Sequence, residues 1–148
     1  MNVNKVLWPT DFSKSAAKAL PTVHSLAHKY DAEVHVMYVV EDLSYYHTWL
    51  GGDAPHQVDK LTHFSKELAE QKLDELCNSA LGECRLVVKH IAMGDSAREI
   101  LKFIASEGVD MVIMATRGSR GDFPFGSITE KVVKHSPVPV VSVPMAGE

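Results

Sequence analysis

The feature that most constrains the fold is a regular alternation of short apolar runs with longer amphipathic segments. The runs have the length and composition of buried strands. They lie at Val3–Trp8, Glu33–Val40, Cys84–Ile91, Met111–Met114 and Pro137–Pro144. Strands that are separated by helices form a parallel sheet, and right-handed crossovers place the helices on both of its faces. We therefore predict an α/β fold with a doubly wound, five-stranded parallel sheet of the Rossmann-like kind.

Capping and breaking residues mark several helix ends. Ser13 is a favourable N-cap for the first helix, and Pro21 inside that segment is expected to kink the helix or split it in two. The longest helix is predicted over Gln57–Ala80 and is ended by Gly82. Its apolar stripe consists of Leu61, Phe64, Leu68, Leu73 and Leu76. A further helix is expected to open at Gly94-Asp95-Ser96.

Length and charge limit the classes of protein to consider. A chain of 148 residues is expected to be a single domain, residues 1–148. The net charge of −4 argues against a general nucleic-acid binder, and no apolar run approaches the length of a membrane span. No secretory signal pattern is visible, so we expect a cytoplasmic protein. Cys77 and Cys84 are predicted to be free thiols, with a disulfide or redox pair as the minor alternative.

A glycine-bearing loop joins the predicted fourth strand to the last helix. It runs from Ala115 to Ser127 and contains Gly118, Gly121 and Gly126. Glycines let the backbone approach a ligand closely, and N–H groups at a helix start point towards an anion. The loop therefore makes nucleotide binding the leading hypothesis.

The topology of such a sheet brings Asp11 into the same region. We predict the strand order 3-2-1-4-5, in which the first and fourth strands are central neighbours. Ligands of doubly wound sheets bind at the carboxyl ends of the strands, where the order reverses. Asp11 follows the first strand and the glycine loop follows the fourth. Both are therefore expected to border one crevice.

Four segments resemble the universal stress protein (UspA-like) family, and the resemblance extends over essentially the whole chain. They are Val6–Ser13, Asp110–Gly118, Gly126–Val133 and His135–Val140. The ATP-binding branch of that family carries Gly-x-x-Gly, then nine residues, then Gly followed by Ser, Thr or Asn. Here Ala115 stands at the first glycine, Gly118 at the second, and Gly126-Ser127 at the final pair, with only seven residues between. A less favoured register uses Gly118 and Gly121 as the first pair.

The resemblance implies a site for ATP, or for AMP or ADP, with Mg²⁺ carried by the nucleotide. Asp11 is implied to lie near adenine and ribose, Val39 to contact adenine, and Gly118, Gly126 and Ser127 to hold phosphate. The residues predicted to bind nucleotide are Pro9, Thr10, Asp11, Val39, Met114, Ala115, Arg117, Gly118, Gly121, Gly126, Ser127 and Ile128. The resemblance also implies a homodimer built through the C-terminal strand, Val138 to Val143.

Each of these residues also has a purely structural interpretation. Asp11 can be a turn or N-cap residue, Val39 a strand-core residue and Ser127 an ordinary N-cap. Arg117 and Arg120 can be solvated instead of meeting phosphate.

Two other groups of side chains are weaker candidates for a site. His47, His56 and His63 match no compact zinc pattern, so no metal site is predicted. The segment Tyr45 to Trp49 can be a lid, a partner surface or part of the packed sheet edge.

Three functions are compatible with the sequence. The favoured one is an ATP-binding universal stress protein that acts as a dimeric switch or sensor in the stress response. The alternative is a stress protein that binds no nucleotide and acts as a dimeric interaction module. Catalysis on ATP is disfavoured, because no Walker lysine or placed general base is recognisable and Asp122 is the only nearby carboxylate with any case for that role.

Overall fold

The computed structural model describes residues 1–41, 54–116 and 126–144. Its strands are β1 (Lys5–Pro9), β2 (Glu33–Glu41), β3 (Val87–Gly94), β4 (Met111–Ala115) and β5 (Val140–Val143). Its helices are α1 (Lys14–Ala17), α2 (Leu20–Tyr30), α3 (Ala54–Ala80), α4 (Ser96–Ser106) and α5 (Ser127–His135). Strands and helices thus alternate along the chain as the apolar pattern predicts.

The strands form one parallel sheet in the order β3-β2-β1-β4-β5. This confirms the predicted order and makes β1 and β4 central neighbours. The chain runs outwards to β3 in its first half and outwards to β5 in its second half. The switch point therefore lies between the carboxyl ends of β1 and β4, where ligands of such sheets bind.

Apolar side chains cover both faces of the sheet. On one face Trp8 and Ile113 pack with residues of α2 and α3. On the other, Leu7 and Met114 pack with residues of α4 and α5. All five residues of β4 are buried, as expected for a central strand with helices on both sides. The prediction of a doubly wound sheet is confirmed.

Pro21 splits the first helical segment into α1 and α2. The Oγ of Ser13 accepts a hydrogen bond from the N–H of Ala16 at 3.1 Å and caps α1, as predicted. Pro21 lies in the first turn of α2, where a missing N–H costs no helical hydrogen bond. Of the two outcomes expected for this proline, the structure has the split rather than the kink.

Three strands begin later than the sequence predicts. β1 begins at Lys5 rather than Val3. β3 begins at Val87 rather than Cys84, because the chain first turns after α3 and the Cys84 N–H bonds to the Leu81 carbonyl at 3.1 Å. β5 begins at Val140 rather than Pro137. Proline has no N–H to give to a strand ladder, so Pro137 and Pro139 favour an approach segment over a longer strand.

The apolar stripe predicted on α3 is buried only in its second half. Leu73 is buried, whereas Leu61, Phe64 and Leu68 are 51%, 62% and 40% exposed. The helix has 27 residues and is about 40 Å long, whereas the nine residues of β2 extend about 30 Å. The first half of α3 therefore has less sheet to pack on. Within the described ranges, no helix is both long enough and apolar enough to cross a membrane.

Candidate functional site

The carboxyl end of β1 leads into a tight, hydrogen-bonded turn. The N–H of Thr10 donates to the Met37 carbonyl of β2 at 2.9 Å, and the Thr10 hydroxyl accepts from the Phe12 N–H at 3.1 Å. Asp11 Oδ1 accepts from the Ser13 N–H at 2.9 Å. Phe12 has a φ of 63°, a left-handed conformation that is unusual for a bulky side chain. These bonds fix the exposed Asp11 at the switch point.

The carboxyl end of β4 is tied to the start of α5. The N–H of Gly126 donates to the Thr116 carbonyl at 2.6 Å, so both ends of the glycine loop meet beside the strand. The buried Thr129 hydroxyl donates to the Ala115 carbonyl at 2.8 Å. The Thr116 N–H in turn bonds to the Val143 carbonyl of β5 at 2.9 Å. The helix start is thereby held at the same edge of the sheet as the Asp11 turn.

The start of α5 presents backbone N–H groups. Gly126 is the N-cap residue, with φ −70° and ψ 154°, and it has no side chain to satisfy those groups. Ser127 is the first helical residue, so its interpretation as an ordinary N-cap is wrong. Ser127 and Ile128 are both exposed. Uncapped N–H groups at a helix start attract an anion.

One carboxylate lies in the first turn of α5, where it would oppose a bound anion. It belongs to Glu130, and the Lys134 ammonium lies 2.9 Å from it. The hydrogen bond and charge of Lys134 lower the pKa of Glu130. Because the pair is neutral overall, it offsets much of the repulsion that Glu130 alone would exert on phosphate.

The structure brings together those predicted site residues that it describes. Pro9, Thr10 and Asp11 end β1 or follow it, while Met114 and Ala115 end β4 as buried residues. Val39 lies half-buried on β2 and packs against the cluster that contains Met114. The interpretation of Val39 as a strand-core residue is therefore correct. Its half-buried position is also compatible with contact to a ligand.

Some sequence predictions lie outside the described residues. They include three of the predicted nucleotide-binding residues, Arg117, Gly118 and Gly121. Arg120 and Asp122, and the candidate lid from Tyr45 to Trp49, also lie there.

Sequence reasoning missed Thr129 and Thr116, which connect β4 to α5 and β5. The helical spacing of α5 could have marked Thr129. It lies three residues before Val132, on the same stripe of the helix, and these two are the buried residues of α5. A polar residue on the inward stripe of an amphipathic helix needs a partner. No comparable signal marks Thr116, whose bonds come from its backbone.

A cavity of about 490 Å³ lies at the opposite end of the sheet. It is lined by α2 and by the turn before β3, with His24, His28, Asp31, Cys84 and Arg85 among its residues. Both cysteines are free, and burial raises the pKa of each thiol. The cavity is remote from the carboxyl ends of the strands, so it is not part of the candidate site. In the part of the chain described, no three His, Cys, Asp or Glu side chains are grouped to hold a metal ion.

Comparison with known proteins gives the family. The model of the universal stress protein family matches residues 2–144. Universal stress protein MJ0531 of Methanocaldococcus jannaschii is 30% identical over 144 residues, covering 95% of this chain and 82% of that protein. MJ0577 of the same organism is 30% identical over 153 residues, covering 94% and 93%. The chain belongs to the universal stress protein family.

Solved structures agree with this assignment. The MJ0577 structure superimposes with a TM-score of 0.85 at 28% identity and covers 100% of both chains. A universal stress protein family member from Arabidopsis thaliana, solved with AMP bound, has a TM-score of 0.63 at 17% identity, covering 97% and 93%. The second similarity, at this identity, concerns the fold.

Proposed function

We propose that this protein binds an adenine nucleotide, ATP or its di- or monophosphate, at the switch point of the sheet. The observation that carries the proposal is the start of α5, an uncapped helix terminus tied to the end of β4 by the bond from Gly126 to Thr116. The Asp11 turn lies at the end of the neighbouring strand. An anion-binding terminus beside a carboxylate turn suits a ligand with phosphates at one end and hydroxyl groups at the other.

The parts of the nucleotide are assigned by chemistry. Gly126 and Ser127 bind phosphate through backbone N–H groups and the Ser127 hydroxyl. Asp11 accepts hydrogen bonds from ribose hydroxyls. Adenine lies against the wall made by Pro9, Thr10 and Val39. The phosphates carry their own Mg²⁺, which neutralises part of their charge and needs few protein ligands.

The other residues proposed for the site complete it around these contacts. Ala115 and Met114 form its floor, and Ile128 flanks the phosphates. Arg117, Gly118 and Gly121 belong to the loop above them.

Two findings support the nucleotide over a site without ligand. Ala115 replaces the first glycine of the family's ATP-binding pattern, but it lies within β4, where a methyl group is compatible with extended backbone. In addition, the family member from Arabidopsis was solved with AMP bound.

We propose binding without rapid catalysis. Of the described carboxylates near the site, Asp11 is held by a turn hydrogen bond, and Glu130 is a weaker base because its pKa is lowered. A general base for phosphoryl transfer must be placed and basic enough to take a proton near neutral pH. The protein is then a nucleotide-dependent switch or sensor in the stress response, formed by one domain over residues 1–148 and located in the cytoplasm.

A second candidate is a dimeric interaction module that needs no nucleotide. β5 lies at one end of the sheet order and carries valines at positions 140, 141 and 143. An apolar edge strand invites pairing with another chain. We propose that the segment Val138 to Val143 forms a homodimer, whether or not nucleotide is bound.

The direct test is to release whatever small molecule the purified protein carries. The protein is denatured, and the supernatant is analysed by anion exchange and mass spectrometry. We expect an adenine nucleotide in near-stoichiometric amount, and a rise in melting temperature when the apo-protein is given millimolar ATP. If the protein releases no nucleotide and ATP causes no thermal shift, the nucleotide proposal is wrong and the interaction module remains as the function.

A further inference from the structure

Three side chains form a hydrogen-bonded chain on the face of the sheet covered by α4. His35 Nε2 lies 3.0 Å from Glu33 Oε2, and His35 Nδ1 lies 2.8 Å from His90 Nε2. His35 is 6% exposed and lies on β2, while His90 is half-buried on the neighbouring β3. These side-chain hydrogen bonds therefore join β2 to the edge strand β3.

Aromatic packing holds the two histidines of this hydrogen-bonded group in place. The two imidazole rings stack with their centroids 5.0 Å apart, and Phe103 of α4 meets the His90 ring edge-on at 4.5 Å. The Lys5 ammonium of β1 donates to the Glu107 carbonyl at the end of α4, at 2.6 Å. The end of α4 is thus bonded to β1, while Phe103 of the same helix packs on His90.

The geometry fixes the protons when both histidines are neutral. An ionised carboxylate only accepts, so His35 Nε2 carries a proton and donates to Glu33. His35 Nδ1 is then an acceptor, and His90 Nε2 donates to it. Every polar atom in the two contacts has its correct role in this state.

One additional proton fits the same geometry, but two do not. A single added proton on either ring leaves one N–H pointing at one lone pair between His35 and His90. A second added proton places two cationic N–H groups 2.8 Å apart with no acceptor between them. The contact between the rings must then break.

We propose that Glu33, His35 and His90 form a pH-sensitive switch that joins β2, β3 and α4 while it holds at most one added proton and opens when it receives a second. Opening separates the stacked rings and removes the surface on which Phe103 packs. The end of α4 then loosens from the sheet edge in mildly acidic conditions. This property is independent of nucleotide binding.

The surrounding charges favour this behaviour. Burial lowers the pKa of His90, and the nearby His35 and Lys5 of β1 lower it further, against an opposing effect of Glu107 after α4. The hydrogen bond from His35 lowers the pKa of Glu33, and charges on Lys5 and on Arg85 before β3 act in the same direction. The carboxylate thus stays ionised while His90 titrates.

The sign of the pH dependence follows from the lowered pKa of His90. The unfolded chain takes up the proton near pH 6.5, before the folded protein does. Stability from the neutral ring is therefore complete above about pH 6.5 and is lost as the pH falls below that value. The loss linked to Glu33 comes lower, below about pH 4.5, so the two are separable.

The test compares the unfolding of wild type, His90→Gln and a control between about pH 7 and pH 5.5. Glutamine donates to His35 Nδ1 but does not titrate. The control is His63→Gln, at an exposed histidine of α3. As the pH falls from about 7 to 5.5, we expect the unfolding constants of wild type and of the control to rise about three- to tenfold more than that of His90→Gln. The limit arises because the uptake of one proton changes the unfolding constant by at most about tenfold per pH unit. If the unfolding constant rises equally in all three proteins, the proposed switch is wrong.

A second measurement does not depend on the variant folding. Nitrogen-15 NMR of the wild-type imidazoles follows both rings through the same pH range. We expect His35 to carry its proton on Nε2 at neutral pH, and amide signals of β3 and of the end of α4 to shift as His90 titrates. The proposal is wrong if both rings become cationic in the folded protein while those signals stay unchanged.

Discussion

At the scale of single residues, Thr129 is the side chain on which the site depends most. Its hydroxyl is buried and donates to the carbonyl of Ala115, the last residue of β4. The bond fixes how far the start of α5 lies from the strand. Gly126 adds a backbone bond to the Thr116 carbonyl. These two contacts set the position of the proposed phosphate site.

Replacing Thr129 with valine removes the hydroxyl and keeps the shape. We expect Thr129→Val to lower the free energy of unfolding by about 1–3 kcal/mol, because the Ala115 carbonyl loses a buried partner. Thr129→Ser retains the hydroxyl and is the matched control for the bond. Urea denaturation of the three proteins measures the difference. A valine variant as stable as wild type would show that the bond contributes nothing to holding α5.

At the scale of secondary-structure elements, α4 depends on its N-cap. Asp95 accepts a hydrogen bond from the Arg98 N–H at 3.0 Å, and the preceding Gly94 has a φ of 141°, which glycine alone adopts easily. The chain can therefore leave β3 and enter α4 within two residues. The sequence predicts the start of α4 correctly, because both residues act locally, although β3 continues to Gly94 instead of ending at Ile91.

Loss of the cap should weaken α4 by a modest amount. We expect Asp95→Ala to cost about 1 kcal/mol of unfolding free energy and Asp95→Asn only a small part of that, since asparagine caps nearly as well. Thermal unfolding followed by circular dichroism compares the two variants with wild type. Equal losses in both would assign the effect to the charge of Asp95 instead of its hydrogen bond.

Element positions could be predicted where the cause is local, and not where it is tertiary. The all-apolar β4 and the Ser13 cap follow from neighbouring residues in the chain. The exposed Leu61 and Phe64 of α3 could not be foreseen, because periodicity marks a face but does not say how far the sheet extends beneath it. The late start of β3 likewise depends on a turn that Cys84 makes with Leu81.

At the scale of the whole molecule, the sequence predicts the strand order and the switch point of the sheet correctly. The Asp11 turn and the two ends of the glycine loop therefore lie at one edge of the sheet. The left-handed Phe12 was not foreseen, although the hydrogen bonds around it are local. The inward position of Thr129 can be seen in the sequence, but its partner Ala115 cannot, because that residue belongs to another element. The His35–His90 contact was missed for the same reason, since its members are 55 positions apart in the sequence.

The edge position of β5 leads to a prediction about assembly. We expect a homodimer at micromolar concentration, because an apolar edge strand gains hydrogen bonds and buried surface by pairing. Sedimentation velocity over a range of concentrations measures the mass directly. A monomer across the micromolar range would remove the C-terminal strand as an interface.

Calorimetric titration of ATP into wild type, Gly126→Asp and Gly126→Asn tests the central claim most directly. The N-cap backbone of Gly126, with φ −70° and ψ 154°, suits both new side chains, so each substitution adds a cap to α5. Only aspartate adds negative charge at the proposed phosphate site. We predict ATP binding by wild type, weaker binding by Gly126→Asn as its side chain competes for the N–H groups, and a further loss of about tenfold or more in Gly126→Asp. Equal affinities of the two folded variants and wild type, or no binding of ATP by wild type at millimolar concentration, would contradict a nucleotide site at the start of α5.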